Sequence, residues 1–210
     1  MPETTMPHRS TEGPSFAPHL PGLFHRALEE ILGHDEVASI SEAAGPRAPV
    51  FADSGSRKPP VQAPRASLPR SAIAATLVSL ESEYGLQGGR GLALRVGQSC
   101  FRYGLREYGA DAGAHQMAFR LLPLGTRIRA ALRSLLRLLS GRGGLRVQLR
   151  EQDGKFFLDL EDCPLCAARR SQVPVCFLAV GFLQEALHWT SGGSIFHVEE
   201  VDCQSQSGAF

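Results

Sequence analysis

LRVQLREQDGKFFLDL, residues 145–160, is the stretch from which the fold class is read. Leu145, Val147 and Leu149 alternate with Arg146, Gln148 and Arg150, residues 151–155 turn the chain, and residues 156–160 alternate again. Successive side chains on a strand point to opposite faces, so a period of two makes one apolar and one solvated face, and two such runs predict a β-hairpin. Downstream, PVCFLAVGFLQEALHW (174–189) predicts a helix, with Cys176, Val180, Leu183 and Leu187 on one side and Ser191-Gly192-Gly193 ending it. IFHVEEV (195–201) predicts a further strand.

Upstream of the hairpin the period is helical. Residues 126–139 place Ile128, Leu132, Leu135, Leu136 and Leu139 on one face and Arg129, Arg133 and Arg137 on the other, read as a solvated stripe. Residues 114–122 predict a short helix stopped by Pro123. Ile73, Leu77 and residues 80–84 suggest a helix that Gly85 and a Gly88-Gly89-Arg90-Gly91 turn stop; Leu92, Val96, Cys100 and Tyr103 begin another, closed by Gly104 and Gly109. Leu20, Leu23, Phe24, Ala27, Leu28, Ile31 and Leu32 describe an amphipathic helix ending at Gly33, whose apolar face needs a partner. Residues 41–69, with six prolines from Pro46 to Pro69, resist helix and ladder alike. The expected organisation is a disordered tail over 1–19, a helical segment over 20–40, a linker over 41–69 and one α/β domain over 70–210.

A chain of 210 residues supports one sizeable core, and 43% apolar residues with a net charge of +1 give no field to gather nucleic acid or anionic lipid. The longest apolar runs, such as 173–183, fall short of the roughly 20 residues a membrane span needs. The first 21 residues lack a continuous apolar run and carry Glu3, His8, Arg9 and Glu12, which argues against a secretory signal and makes the cytoplasm the expected compartment. In that setting five cysteines are read as reduced thiols or metal ligands.

Four of those five carry the chemistry: Cys163-Pro-Leu-Cys166, Cys176 at a helix start and Cys203 at a strand end. A Cys-x-x-Cys turn aims two thiolates at one tetrahedral centre. Two sets follow: all four thiolates, making a closed structural site, or Cys176, Glu200 and Cys203 with a fourth ligand from nearby. Zinc accepts thiolate and carboxylate and suits either. Cys100, among apolar neighbours in a helix, reads as a small buried hydrophobe. Gln87-Gly-Gly-Arg-Gly91 lacks the phosphate-loop and dinucleotide patterns, His188 and His197 read as capping or packing residues, and Glu185 as solvated. No Ser/His/Asp set or paired carboxylate is present.

The run from Glu161 through Cys163, Cys166, Pro174-Val-Cys176 and Ser191-Gly-Gly to Val198-Glu-Glu-Val-Asp-Cys203 resembles the 4-vinyl reductase-type domain. So do Gly91-Leu-Ala-Leu-Arg-Val-Gly, Phe101-Arg-Tyr-Gly-Leu-Arg-Glu-Tyr-Gly, Phe119-Arg-Leu-Leu-Pro-Leu and the segment from Leu23 to Gly33. The resemblance implies an α+β fold of helices packed on an antiparallel sheet, related to trafficking-complex subunits and nitric-oxide-signalling domains. It implies zinc held by Cys176, Glu200 and Cys203. The family's next cysteine corresponds to the position one past Phe210, and Gln204 to Phe210 stand where the family has a Gly-Asp-containing turn and then a closing strand. The fourth ligand then comes from Cys163 or Cys166, or the site stays incomplete. Sensory relatives further imply a pocket for a small hydrophobic or aromatic ligand, lined by Phe101, Tyr103, Phe119, Phe177, Phe182 and Trp189. The leading expectation is a non-catalytic ligand-binding module, with a homodimer left open. A vinyl reductase or an accessory factor of tetrapyrrole metabolism is the alternative, although the chain carries no nicotinamide or flavin motif; a partner-docking scaffold is the third.

Overall fold

Two glycines set the course of the helical half. The computed structural model describes residues 19–44, 70–110, 117–141, 144–167 and 169–207. Gly33 has φ 88° and separates α1 (His19–Leu32) from α2 (His34–Ala43), while Gly85, at φ 72° and ψ 165°, breaks the long α3 (Arg70–Tyr108) into two helices. Left-handed φ is cheap only without a Cβ. The break at Gly85 is where the sequence places it, but the expected turn over 88–91 is helical. Gly89 explains the difference: a Cβ there would meet the Glu81 Cα and nitrogen at 2.6 Å, so this glycine serves close approach of the two halves of α3. Gly104 likewise lies inside the helix, which runs on to Tyr108.

α1 lays Leu23, Phe24, Ala27 and Leu28 against α3, and α2 adds Val37 and Ile40. The apolar face of α1 is therefore covered. α2 continues to Ala43, three residues into the stretch assigned to the linker. α1 likewise takes in His19, the last residue of the expected tail; 1–18 of that tail and 45–69 of the linker lie outside the described residues. The expected helix over 114–122 is described as α4 (Met117–Arg120), and α5 (Leu124–Gly141) follows Pro123.

β1 (Arg146–Gln152) and β2 (Lys155–Glu161) pair antiparallel, with Arg146 opposite Glu161 and Gln152 opposite Lys155. The turn is shorter than the sequence suggests: Asp153 and Gly154, at φ 51° and 72°, make the connection. Two left-handed residues give a turn whose twist matches that of the strands. Across the ladder Arg150 donates to Asp159 at 2.6 and 3.1 Å. Arg129 of the α5 stripe grips Glu151 with two nitrogens, holding the hairpin to the helix. Exposed pairs of this kind contribute little stability and mainly fix orientation.

The class is α+β: a mainly helical body with one small antiparallel sheet. Residues 195–201 do not form the expected third strand. They carry no regular secondary structure, among the described residues no ladder hydrogen bond engages them, and the sheet has two strands. A strand exists by its pairing, and alternation alone cannot supply the partner.

α6 (Phe177–Ser191) is the central element and packs most extensively on α3. Both helices are notched by glycine at the crossing. A Cβ on Gly97 would come within 2.9 Å of the Leu178 carbonyl carbon and the Phe182 nitrogen; one on Gly181 would lie 2.7 Å from the Leu94 carbonyl carbon. No helix among the described residues is long and apolar enough to cross a membrane.

Candidate metal centre and apolar cavity

The second half of the Cys-x-x-Cys loop is anchored by Arg169, whose guanidinium pairs with Glu81 of α3; their side chains are 9% and 17% exposed. An ion pair this buried costs much when one partner is removed, because the other charge stays desolvated. The Arg169 N–H also donates to the Cys166 carbonyl at 3.1 Å. On the other side, α7 (Gln204–Ser207) closes the loop: the Cys163 N–H donates to Gln204 Oε1 at 2.9 Å and the Ser171 N–H to the Ser205 carbonyl at 3.1 Å. Three segments far apart in sequence thus converge at the N-terminal end of α6.

There Cys163, Cys166, Cys176 and Cys203 are all buried, between 1% and 8% exposed, and all are free thiols. Cys163 Sγ lies 3.6 Å from Cys176 Sγ, and Cys176 Sγ lies 3.9 Å from Cys203 Sγ. The sulfurs of Cys163, Cys166 and Cys176 lie within 4.8 Å of one another, and so do the donor atoms of Cys176, Glu200 and Cys203. Of the two sets read from the sequence, Cys176, Glu200 and Cys203 are therefore brought together, and three of the four thiolates, Cys163, Cys166 and Cys176, form a second group that shares Cys176 with the first. The cluster can hold a metal ion.

Electrostatics inside the cluster favour one charge at a time. Hydrogen bonds from the Cys166 and Cys176 thiols pull Cys163 down to about 4. Cys176 is pushed upward, first because it donates to Cys163 and then to Cys166, with burial adding to both. Cys166 is raised by its bond to Cys163, and Cys203 by burial and by Glu200. Each further thiolate would set like charges about 4 Å apart in a poorly solvated space, so full ionisation requires a cation at the centre. Glu200 already has a task, since its Oε2 accepts the Cys176 N–H at 2.7 Å at the start of α6.

The sequence-predicted aromatics divide into two groups. Phe101, Phe119, Phe182 and Trp189 line one partly open cavity of about 120 Å³, enclosed by α1, α3, α4, α5 and α6. Phe101 meets Phe182 edge-on at 5.5 Å, and Phe119 stacks on Trp189 at 6.2 Å. Tyr103 and Phe177 are placed elsewhere: the Arg26 guanidinium covers Tyr103 at 4.3 Å, and Arg90 covers Phe177 at 5.1 Å. On a helix Tyr103 is two residues from Phe101, about 200° round the axis, so the two face opposite ways. No charged side chain is among the described residues that line the cavity.

Sequence reasoning missed the α5 contribution to this cavity, which includes Ala131, Leu135 and Leu138. The signal was an apolar stripe on α5 with no covering partner identified. Glu185 also differs from its expected solvated state: it is 21% exposed and pairs with Arg102 at 3.8 Å. His197 is exposed and bonds Glu199 at 3.1 Å, away from the cysteines. Cys100 is buried, as read from the sequence, and donates to the Leu23 carbonyl at 3.8 Å.

A helix-dominated α+β body with a buried four-thiol cluster at one end of its central helix and an apolar cavity against the other defines the structural type. Comparison of this chain with protein-family models, with curated proteins and with solved structures finds no match.

Proposed function

We propose that this chain is a binding module for a small, uncharged hydrophobic or aromatic molecule, organised by zinc at the cysteine cluster. The observation that carries the reading is the cavity. A dry cavity of about 150 Å³ lined by aliphatic and aromatic side chains takes up benzene, and this one, at about 120 Å³, is nearly the same size and is lined mainly by aliphatic and aromatic side chains, with Tyr108, Ser134 and Thr190 the hydroxyl-bearing ones. Its affinity would come from apolar burial, about 0.8 kcal/mol per CH₂. A carboxylate or ammonium group would be desolvated there without a charged partner.

Two sulfur separations support zinc. With Zn–S near 2.3 Å, the edge of a sulfur tetrahedron is about 3.8 Å, and the Cys163–Cys176 and Cys176–Cys203 separations, 3.6 and 3.9 Å, bracket it. Cys163, Cys166, Cys176 and Cys203 would hold the ion, and Glu200 would orient Cys176 from behind. Four thiolates leave no open position, so the ion would be structural. It would fix the start of α6, whose later turns supply Phe182 and Trp189. Five free cysteines suit a reducing compartment such as the cytoplasm. A docking-scaffold role would need the apolar face of α1 free, and α3 covers it.

The test is calorimetry with toluene and benzoate, on the parent chain and on Ala131→Phe, which fills the cavity. Toluene should bind at least about tenfold more tightly than benzoate, and A131F should weaken toluene by a similar factor. Equal affinities for the two ligands, or a variant that binds toluene as the parent does, would refute the proposal.

A further inference from the structure

Residues 195–201 form a segment without a ladder, yet they alternate in exposure as a strand does. Along them exposure alternates: Ile195, His197, Glu199 and Val201 face solvent, while Phe196, Val198 and Glu200 are half-buried against the body. Ile195 is 94% exposed and Val201 69%. Isolated apolar residues on a surface need no explanation, but two β-branched residues on the outward side of an alternating segment without backbone partners invite pairing. Among the described residues, no backbone N–H or carbonyl from 195 to 202 bonds another backbone group.

The sequence of this edge is complementary to itself. An antiparallel pair with its two-fold axis at Val198 sets Ile195 opposite Val201 and His197 opposite Glu199, each twice. The apolar residues meet at both ends, and imidazole meets carboxylate at the centre. Residues directly opposite on one face lie about 5 Å apart, where opposite charges attract and like charges repel. Within one copy His197 Nε2 already lies 3.1 Å from Glu199 Oε2, so pairing would extend an existing contact into a ring of four groups. The same patch on both subunits is what a two-fold interface requires.

We infer that residues 195–201 are a homodimerisation strand, pairing antiparallel with the same segment of a second copy of this chain about Val198. The inference is independent of the ligand and metal proposals, because the four outward side chains belong to neither site. Pairing gives the orphan backbone groups partners and covers Ile195 and Val201.

Sedimentation equilibrium of the full chain over a range of concentrations tests it, with three proteins compared: parent, His197→Glu, and H197E combined with Glu199→Lys. The parent should dimerise. H197E puts four carboxylates at the centre and should raise the dimer dissociation constant at least about tenfold; the double variant restores opposite charges and should recover most of that loss. Circular dichroism and titration of the buried thiols confirm that all three share one fold. A parent that stays monomeric, an H197E dimer as tight as the parent's, or a double variant no better than the single one would each overturn the proposal.

Discussion

Gly181→Ala probes the contact on which both sites depend. A Cβ at this position would overlap the carbonyl oxygen of Leu94, and it would lie 2.7 Å from the carbonyl carbon and 3.0 Å from the Cα of that residue. Carbon atoms prefer about 3.5 Å or more, so the helices must separate by roughly 0.8 Å at the carbonyl carbon alone. The obstacle is backbone inside a regular helix and cannot rotate away. Overpacking costs about 1–3 kcal/mol, and rigid backbone on both sides points to the upper end. Against this, alanine is favoured over glycine in a helix interior by about 1 kcal/mol. The net expectation is a loss of about 2 kcal/mol, or roughly 4–8 °C in Tm for a chain of this size. Urea unfolding followed by circular dichroism measures it, with Gly104→Ala as the reference. A Cβ at Gly104 meets only Leu23 Cδ1, at an ordinary 3.7 Å, so that variant should be neutral or more stable. If G181A matched or exceeded the parent in stability, the close α3–α6 approach would be disproved.

The remaining expectations concern the thiols and one carboxylate. Cys163→Ser and Cys203→Ser should each lower zinc well below one ion per chain in native mass spectrometry, while Glu200→Gln should keep zinc and lose about 1 kcal/mol of stability with the weakened Cys176 N–H bond; metal loss in E200Q with retention in C163S would invert the ligand assignment. Cys100, pushed up to about 12 by burial and by the Glu30 charge, should resist iodoacetamide at pH 8 until the protein is unfolded. Modification of Cys100 in the folded chain, located by peptide mapping, would contradict its placement. The Ser99 hydroxyl and, more weakly, the Tyr103 hydroxyl and Arg102 hold the Glu30 carboxyl below its ordinary value of 4.5, against a push from burial. Because the folded value is depressed, the stability Glu30 contributes is present above pH 4.5 and is lost as pH falls through the folded value. Glu30→Gln should therefore be less stable than the parent at pH 7 and converge with it in strong acid; a constant gap at all pH values would refute this.

What the sequence determined is what depends on neighbours along the chain. The period of two in residues 145–160, the apolar stripes of α1 and α5 and the glycine stops at 33, 85 and 192 follow from backbone sterics and side-chain direction, and the structure reproduces them. The cysteine set was legible as a group because Cys-x-x-Cys is a local pattern with few other uses. What tertiary structure decided is everything that needs a partner far along the chain. IFHVEEV has a strand's alternation but no pairing edge within the described residues, and pairing is not encoded in alternation. Gly88 and Gly89 read as a turn, yet glycine serves close approach as readily as reversal, and only the contact with Glu81 tells which. Tyr103 and Phe177 were grouped with the other aromatics because composition cannot say which side of a helix meets the cavity. The gathering of Cys163, Cys166, Cys176 and Cys203 at one end of α6 depends on α3, through Glu81 and Arg169, and on α7, through Gln204, holding the loop that carries two of them.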